Sequence, residues 1–234
     1  MFHFKKFNIK QDKAAMKVGT DGVLLGAWIN IPDVCQSALD IGTGTGLIAL
    51  MLAQRSDIEI IDGIEIEDNA YEQTVENFEN TPWNDRLFCY HCSLEEFSQE
   101  IDDKYDLIVC NPPFFDPSTP IGNNARAQAR YTTSLPFSEL LKSVDCLLSE
   151  TGTFGVIIPF EQETHFINLA LENNLFPSRI TRVRGNAQAP LKRSLLTFVR
   201  TKENICIDEL VIETARHTYT SEYIELVKDF YLNM

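Results

Sequence analysis

A glycine-rich junction between an apolar run and a helix-like stretch restricts the fold of this chain more than any other feature. Residues Asp40–Gly46 read Asp-Ile-Gly-Thr-Gly-Thr-Gly; they overlap a short apolar run, Ser37–Ile41, and lead into apolar residues from Leu47 onward. Alternating glycines permit a tight turn and let a ligand approach bare backbone. Strand-to-helix junctions of this kind bind ligands at the carboxyl edge of open α/β sheets. The segment therefore predicts an α/β fold with a binding site at that edge.

Strand-like and helix-like segments alternate after this junction. Strands separated by helices of about ten to fifteen residues form βαβ units, and such sheets are parallel and covered on both faces. Two late strand-like runs around a turn at 185–190 indicate an antiparallel addition. We expect an α/β, Rossmann-like sheet that is parallel except for a late strand. The predicted strands and helices after the junction are Ile58–Ile66, Asp68–Asn80, Leu87–Cys92, Leu94–Glu100, Tyr105–Cys110, Ser138–Ser149, Phe154–Ile158, Glu161–Glu172, Arg179–Val183, Leu195–Arg200 and Tyr219–Leu232.

Length and composition point to one domain. A chain of 234 residues with 44% hydrophobic content can bury a full core. We expect a single domain over 1–234, with an N-terminal lid segment over 1–36 and a catalytic core over 37–234. No apolar run is long enough for a membrane span, and nothing near Met1 is typical of a signal peptide.

The six cysteines are scattered rather than arranged as a framework. Cys89 and Cys92 have C-x-x-C spacing, but they lie inside a predicted strand and no second pair follows. Structural, reduced thiols are the main interpretation, with zinc binding or redox use as the alternative. We therefore expect a cytoplasmic protein with no metal site.

Charge is unevenly distributed along the chain. A formal charge of −14 argues against general adhesion to nucleic acid. However, 173–202 contains no acidic residue and seven basic ones, and the first seventeen residues carry five lysines against one acid, Asp12. These two zones indicate a local footprint for phosphates; ordinary solvated surface cations are the alternative.

The spacing of the glycines discriminates between cofactors. Dinucleotide sites need G-x-G-x-x-G to seat a pyrophosphate, whereas this chain has G-x-G-x-G preceded by Asp40. A carboxylate at that position would repel pyrophosphate but suits a sulfonium ligand such as S-adenosylmethionine. Glu65, nineteen residues after Gly46, is placed to accept from a ribose diol. The alternative is a chance glycine turn with two solvated acids; a nicotinamide-dependent dehydrogenase is excluded by the spacing.

The predicted Tyr105–Cys110 strand ends at Asn111-Pro112-Pro113-Phe114. Proline cannot continue a ladder, so the chain must leave the sheet there. Amide and peptide oxygens can accept from a flat amine while a ring stacks on it. The alternative is a rigid turn with Phe114 in the core. Because parallel strands bring their carboxyl ends together, we expect this turn to face the glycine loop.

Further stretches of the chain carry a resemblance to a known family: Ala15–Gly22, Leu24–Trp28, Ala49–Arg55, Pro82–Trp83, Asp85–Arg86, Gln128–Thr133 and Phe230–Leu232. Together they resemble the bacterial tRNA(Val) adenine-N6 methyltransferase family. The similarity covers nearly the whole chain, and the Lys17–Asp21 string and Arg130–Thr133 are its most specific parts. The resemblance implies a seven-stranded class I methyltransferase fold, transfer to the adenine just 3′ of the anticodon, and closure of Lys17–Asp21 over the cofactor.

The resemblance and the residue patterns together give a set of candidate site residues. An Asn-Pro-Pro-aromatic turn marks transfer to an amino group conjugated to a π system, so the candidate catalytic residues are Asn111, Pro112, Pro113 and Phe114. Asn111 Oδ1 and the Pro112 carbonyl oxygen would accept hydrogen bonds from the N–H groups of the amine, and Phe114 would stack on the base. No general base is required. The candidate cofactor-binding residues are Lys17, Thr20, Asp21, Asp40, Gly42, Gly44, Gly46, Glu65, Ser93, Leu94 and Asn111. Family members often have Asp where this chain has Ser93.

Five basic residues are candidates for RNA contact: Arg126, Arg130, Arg184, Lys192 and Arg193. The first two follow the Pro-Pro turn in a long polar stretch; their alternative is a solvated role. The leading hypothesis is a tRNA adenine-N6 methyltransferase that binds the anticodon loop, with no membrane and no obligate protein partner. A glutamine-amide methyltransferase acting on protein, a DNA adenine methyltransferase and a non-catalytic RNA-binding module remain alternatives.

Overall fold

A computed structural model describes residues 1–113 and 135–234. Within them the strands are β1 Phe2–His3, β2 Asn8–Ile9, β3 Ser37–Ile41, β4 Ile60–Glu65, β5 Leu87–His91, β6 Tyr105–Cys110, β7 Leu148–Pro159, β8 Phe176–Asn186, β9 Leu191–Val199, β10 Cys206–Ala215 and β11 Thr218–Tyr219. The helices are α1 Thr20–Trp28, α2 Leu47–Arg55, α3 Asp68–Glu79, α4 Leu94–Glu100, α5 Phe137–Leu147, α6 Glu163–Glu172 and α7 Ser221–Val227, and a short 3₁₀ turn, Phe160–Gln162, precedes α6.

The central sheet has the order β11-β10-β8-β9-β7-β6-β3-β4-β5. Strands β7, β6, β3, β4 and β5 run parallel to one another, and β9 lies antiparallel between β7 and β8. The predicted α/β class, with a parallel sheet and an antiparallel late strand, is confirmed. Two further strands, β10 and β11, extend the sheet beyond the seven expected. Sequence reasoning missed β10 because only Leu210 of its ten side chains is buried.

Strand register brings three chain segments together at the carboxyl edge of the sheet. Ile41 of β3 pairs with Ile64 of β4 on one side and with Cys110 of β6 on the other. The residues that follow these three, Gly42, Glu65 and Asn111, therefore emerge side by side. The convergence expected from parallel strands is what the register produces.

Helices cover both faces of the sheet. Apolar residues of α1 and α2 pack on one face, whereas residues of α4, α5 and α6 pack on the other. Phe4, Phe7 and Ile9, which precede α1, are buried in the first of these cores. Part of the predicted lid segment over 1–36 is thus built into the core rather than laid over it. Across the two described ranges, no helix combines the length and apolarity that a bilayer crossing requires.

Arg55 fixes α1 against α2. Its guanidinium donates to the carbonyl oxygens of Gly26, Ala27 and Ile29 at distances of 2.8, 2.6 and 2.8 Å. These carbonyls belong to the last turn of α1 and to the residue that follows it, where acceptors otherwise have no intrahelical partners. The contact holds the helix so that its first turn, at Thr20, reaches the carboxyl edge of the sheet.

Candidate active site

The glycine loop between β3 and α2 has a left-handed backbone at every second residue. Gly42, Gly44 and Gly46 have φ angles of 66°, 65° and 80°. A Cβ atom added to Gly42 would meet nothing within 4 Å, whereas one added to Gly46 would lie 2.5 Å from Phe78 Cε1. The outer part of the loop therefore faces open space, and its inner end is packed against α3. Such a loop offers bare backbone to a ligand.

Asp40 is buried below the loop. Its side chain is 1% exposed, and Oδ2 accepts from Thr43 Oγ1 at 2.7 Å and from the Ala49 amide at 3.2 Å. Burial raises the pKa of this carboxyl to about 7, and the two hydrogen bonds offset only part of that shift. The expectation of direct contact with a cationic ligand does not fit this burial. Asp40 instead ties the loop to the first turn of α2.

Glu65 borders the loop on its other side. Its Oε2 accepts from the Gly44 amide at 2.9 Å, and Oε1 accepts from the amides of Ile66 and Glu67 at 2.9 and 3.0 Å. The residue as a whole is half-buried. Because each carboxylate oxygen can accept more than one hydrogen bond, Glu65 can hold the loop and still receive a hydroxyl.

Asn111 stands at the end of β6, next to the glycine loop. Asn111 is half-buried. If Gly22 carried a Cβ atom, that atom would lie 3.8 Å from Asn111 Nδ2 and 2.9 Å from Leu47 Cδ2. The side-chain amide thus points toward the first turn of α1 and the start of α2. Pro112 is buried, Pro113 is half-buried, and Phe114 lies outside the described residues.

The first turn of α1 carries the other predicted cofactor residues. Lys17 and Thr20 are exposed, and Thr20 lines a cleft together with Gly185. Asp21 is paired with Arg193: Nε donates to Oδ2 at 2.9 Å, and both side chains are 27% exposed. Asp21, a predicted cofactor-binding residue, and Arg193, a predicted RNA-binding residue, therefore form one ion pair, which joins α1 to β9.

Ser93 and Leu94 begin α4. Ser93 caps the helix, since its Oγ accepts from the Glu96 amide at 3.2 Å while the Glu96 carboxylate accepts from the Ser93 amide at 2.9 Å. Leu94 is buried. Because the Ser93 hydroxyl is engaged in the helix cap, the predicted cofactor contact at these positions would have to come from backbone groups or from the buried Leu94 side chain.

The basic run over 173–202 is largely neutralised by acids from other segments. Arg184 donates to Glu209 at 2.7 Å, and Arg182 donates to buried Glu163 at 2.7 Å. The remaining arginines of the run pair likewise, as Arg179–Asp208, Arg193–Asp21 and Arg200–Asp145. Within this run, the expected local footprint for phosphates is thus narrowed to exposed cations such as Lys192. Arg126 and Arg130 lie outside the described residues.

Two neighbours of the loop were not foreseen from the sequence. Ile66, which directly follows Glu65, is 57% exposed although it is apolar. His91 ends β5 opposite Glu65, lies 3.0 Å from Asp68 Oδ1 and stacks on Tyr71 with ring centroids 4.9 Å apart. An apolar residue directly after a strand-end acid was a signal for an exposed contact surface beside the loop.

The Cys89 and Cys92 thiols give no sign of reactivity. Burial raises the pKa of Cys89 to about 12, and it also raises the pKa of Cys92. A reactive or metal-binding thiol needs the opposite shift. No cluster of three metal-ligating side chains occurs among the residues that the structure describes.

Comparison with known proteins agrees with this architecture. Residues 23–131 match the family model described as "Methyltransferase small domain". A predicted O-methyltransferase from Agrobacterium tumefaciens superposes with a TM-score of 0.69 at 15% identity, covering 90% of this chain and 96% of its own. A ribosomal protein L11 methylase from Lactobacillus delbrueckii subsp. bulgaricus gives 0.53 at 19% identity, covering 77% of each chain. The fold and the glycine loop define a Rossmann-like, S-adenosylmethionine-dependent methyltransferase.

Sequence relatives narrow this class to one family. Proteins named tRNA1(Val) (adenine(37)-N6)-methyltransferase from Christiangramia forsetii and Flavobacterium psychrophilum are 56% and 57% identical over 100% of this chain, covering 98% and 100% of their own lengths. A protein of the same name from Bacteroides fragilis is 44% identical over the full chain. The chain belongs to the tRNA1(Val) (adenine(37)-N6)-methyltransferase family, which confirms the resemblance found in the sequence.

The described residues fit the cofactor of this class. The open side of the glycine loop is a cradle that a Cβ on Gly42 would occupy, since nothing else lies within 4 Å of that point. Glu65, a half-buried residue, supplies a carboxylate, and Ile66 supplies an exposed apolar surface next to it. Backbone donors, an acid and an apolar face are the groups that an adenosine with a charged methionine tail requires.

Alanine at Gly46 and at Gly42 should separate loop stability from ligand access. Gly46→Ala meets both a left-handed φ and the Phe78 ring, so we expect a loss of about 3 kcal/mol in the free energy of unfolding. Gly42→Ala meets only the φ penalty, about 1 kcal/mol, but places a methyl in the cradle. Urea unfolding and calorimetric titration with S-adenosylmethionine measure both effects. Equal cofactor affinity in Gly42→Ala and the wild type would contradict the placement of the cofactor.

Asp40 should make stability depend on pH. Its folded pKa, about 7, lies above the ordinary carboxyl value of 3.8, so the folded chain binds the proton more tightly than the unfolded chain. The stabilisation is full below the ordinary value and is lost as pH rises through 7, at about 1.4 kcal/mol per pKa unit. Asp40→Asn lacks this proton, so its stability relative to the wild type should rise between pH 5 and pH 8 in urea unfolding. Parallel pH profiles would refute the shift.

Proposed function

We propose that this protein transfers the methyl group of S-adenosylmethionine to N6 of adenine 37 in tRNA(Val), with Asn111 as the residue that holds the amine. The observation that carries the proposal is the position of Asn111. It follows β6 in register with the glycine loop, remains half-buried and points its amide toward the first turn of α1. The names of full-length relatives supply the nucleotide and the tRNA.

Asn111 and Pro112 act on the amine nitrogen of the base. That nitrogen is a poor nucleophile because its lone pair is delocalised into the ring. The Asn111 Oδ1 and the Pro112 carbonyl oxygen accept hydrogen bonds from its two N–H groups. These bonds align the lone pair with the methyl carbon and concentrate electron density on the nitrogen. The nitrogen becomes acidic once methylated, so its proton passes to solvent without a dedicated base.

The glycine loop, Glu65 and Ile66 hold the cofactor in this proposal. S-adenosylmethionine supplies an electrophilic methyl carbon on a sulfonium. Glu65 accepts the ribose hydroxyls, and Ile66 packs on the adenine face. Gly42 and Gly44 let the backbone approach the ligand closely. Lys17–Asp21 covers the site from the N-terminal end of α1, where the Asp21–Arg193 pair fixes the helix.

The RNA contact is confined to exposed cations near this edge. Lys192 is exposed and directly precedes Arg193, so it lies beside the first turn of α1. Lys17, three residues before α1, is also exposed. A few unpaired lysines suffice for a small anticodon-loop footprint, whereas a broad stripe would attract RNA without selection. A cytoplasmic location, expected from the reduced cysteines, remains a prediction.

The glutamine-amide alternative shares the Asn-Pro-Pro chemistry, but the full-length relatives carry the tRNA name. The non-catalytic alternative requires damage to the site, and Asp40, the three glycines, Glu65 and Asn111 are all present. Neither alternative is favoured.

Asn111→Ala should lower turnover without losing the cofactor. We expect kcat to fall about a hundredfold or more, because an acceptor used in the transition state is removed, while cofactor affinity stays within about twofold. The assay is transfer of labelled methyl to tRNA(Val) lacking the modification, followed by nucleoside analysis for N6-methyladenosine. Asn84→Ala, at an exposed position before β5, is the control. Wild-type turnover in Asn111→Ala would remove Asn111 from the reaction, and label in protein but not in RNA would select the glutamine-amide alternative.

Lys192 and Arg184 should differ in their effect on RNA binding. Lys192→Ala removes an exposed cation, so the slope of log affinity against log salt should decrease by about one. Arg184→Ala removes a guanidinium already paired with Glu209 at 2.7 Å, so its effect on the slope should be smaller. Filter binding of tRNA over a range of salt concentrations measures both. An unchanged slope in Lys192→Ala would exclude the residue from the interface.

A further inference from the structure

Three of the five buried residues of α3 are polar. Gln73 and Thr74 are 0% exposed and Asn77 is 2% exposed, whereas an ordinary amphipathic helix would place aliphatic side chains there. Buried polar side chains are retained where they have hydrogen-bond partners. Apart from a hydrogen bond between the Gln73 and Glu76 side chains, the partners of these three residues are backbone groups of two separate segments, the glycine loop and residues 10–13.

Two of the three residues hold the glycine loop. Thr74 Oγ1 donates to the Gly44 carbonyl at 2.8 Å, and Asn77 Nδ2 donates to the Thr45 carbonyl at 2.9 Å. Both bonds point the loop carbonyls inward. The opposite side of the loop is therefore left to the ligand.

The same helix face holds the N-terminal segment. Asn77 Oδ1 accepts from the Lys10 amide at 2.9 Å, and Asn77 Nδ2 donates to the Lys10 carbonyl at 2.9 Å. Gln73 Oε1 accepts from the Lys13 amide at 3.1 Å. The Asn77 amide thus pairs with Lys10 as a neighbouring strand would.

From this anchor the chain continues to the active site. Gln11 Oε1 accepts a hydrogen bond from the Val18 amide at 2.8 Å. Gly19, the next residue, is the N-cap of α1, and Gly22 in the first turn of that helix lies beside Asn111. One side chain, Asn77, is therefore bonded to the cofactor loop and to the segment that leads into the first turn of α1.

We propose that Asn77 is a positioning residue that couples cofactor binding in the glycine loop to the ordering of residues 10–22 over the active site. The inference rests on the proposed function, because it takes the loop as the cofactor site. A ligand that fixes the Thr45 carbonyl also fixes the Asn77 amide, and this amide holds the Lys10 backbone. Only a side chain with both a donor and an acceptor can serve both segments, which an aspartate or an aliphatic residue of similar size cannot do.

Three variants on α3 separate the two halves of the coupling. Thr74→Val removes a bond to the loop. Gln73→Met removes the bond to the N-terminal segment and a bond to Glu76 within α3, but no bond to the loop. Asn77→Asp removes the donor shared by both segments while keeping the acceptor for the Lys10 amide. Asn80→Ala, at an exposed position just after the same helix, is the matched control.

The readouts are amide hydrogen exchange of residues 10–22 and 42–46 with and without S-adenosylmethionine, calorimetric affinity, and the separate KM and kcat for tRNA. In the wild type and Asn80→Ala, the cofactor should slow exchange in both segments. In Asn77→Asp it should slow exchange in the loop alone, with cofactor affinity about tenfold weaker, as expected for loss of the one buried hydrogen bond from Asn77 to the loop. Gln73→Met should raise exchange of 10–22 without cofactor yet keep part of its response, and Thr74→Val should weaken affinity while the response of 10–22 remains.

Several results would overturn the inference. It fails if residues 10–22 respond to the cofactor in Asn77→Asp as in the wild type, or if exchange rises uniformly over the whole chain, which indicates a merely structural role. If Asn77→Asp does not fold, Gln73→Met and Thr74→Val provide the test. The coupling requires that Gln73→Met changes the exchange of residues 10–22 and that Thr74→Val changes cofactor affinity. Absence of cofactor binding in the wild type would instead overturn the proposed function. In that case unchanged exchange of 10–22 in ligand-free Gln73→Met would independently refute the anchor.

Discussion

The active site depends on holding three left-handed glycines in one loop conformation. A segment with alternating glycines is flexible when it has no supporting contacts, because glycine loses more conformational freedom on folding than any other residue. Four side chains supply what the loop lacks: Asp40 from below, Glu65 from the side, and Thr74 and Asn77 from α3. Each bonds a backbone group or a threonine of the loop, so the open face toward the ligand is produced by contacts on the opposite side.

Electrostatics explains how an acidic protein can act on a polyanion. The chain carries a net charge of −14, and most arginines of its basic run over 173–202 are paired with carboxylates from other elements. Those pairs join β8 and β9 to neighbouring segments and contribute little free charge. Long-range attraction to RNA is therefore weak, and in the proposed function a few exposed lysines position the RNA while the fit of the base at Asn111 selects it.

Local patterns in the sequence predicted the central part of the fold closely. The strands Ser37–Ile41 and Tyr105–Cys110 and the helix Leu94–Glu100 have the bounds expected from apolar runs, glycines and caps. Strand β10 gave no such signal because its side chains are mostly exposed. The β1–β2 hairpin was missed as well, since its strands are only two residues long.

Contacts between distant residues were beyond the reach of the same reasoning. Arg193 meets Asp21 across 172 positions, and only the folded sheet brings them together. The composition of 173–202 suggested free cations because the neutralising acids lie outside that window. Gln73, Thr74 and Asn77 were visible as polar residues of α3, but a helix pattern does not reveal that they are buried and bonded to backbone groups of other segments.

The structure gives Asp40 a role that its motif does not reveal. The acid was expected to disfavour pyrophosphate by repulsion and to attract a cation. In the structure its Oδ2 occupies the Ala49 amide, one of the amides in the first turn of α2 that have no intrahelical partner. Dinucleotide sites place pyrophosphate on such free amides. Asp40 therefore removes a donor that a pyrophosphate would use and ties the loop to α2, and in the proposed function the cofactor is recognised by Glu65 and the exposed backbone of Gly42.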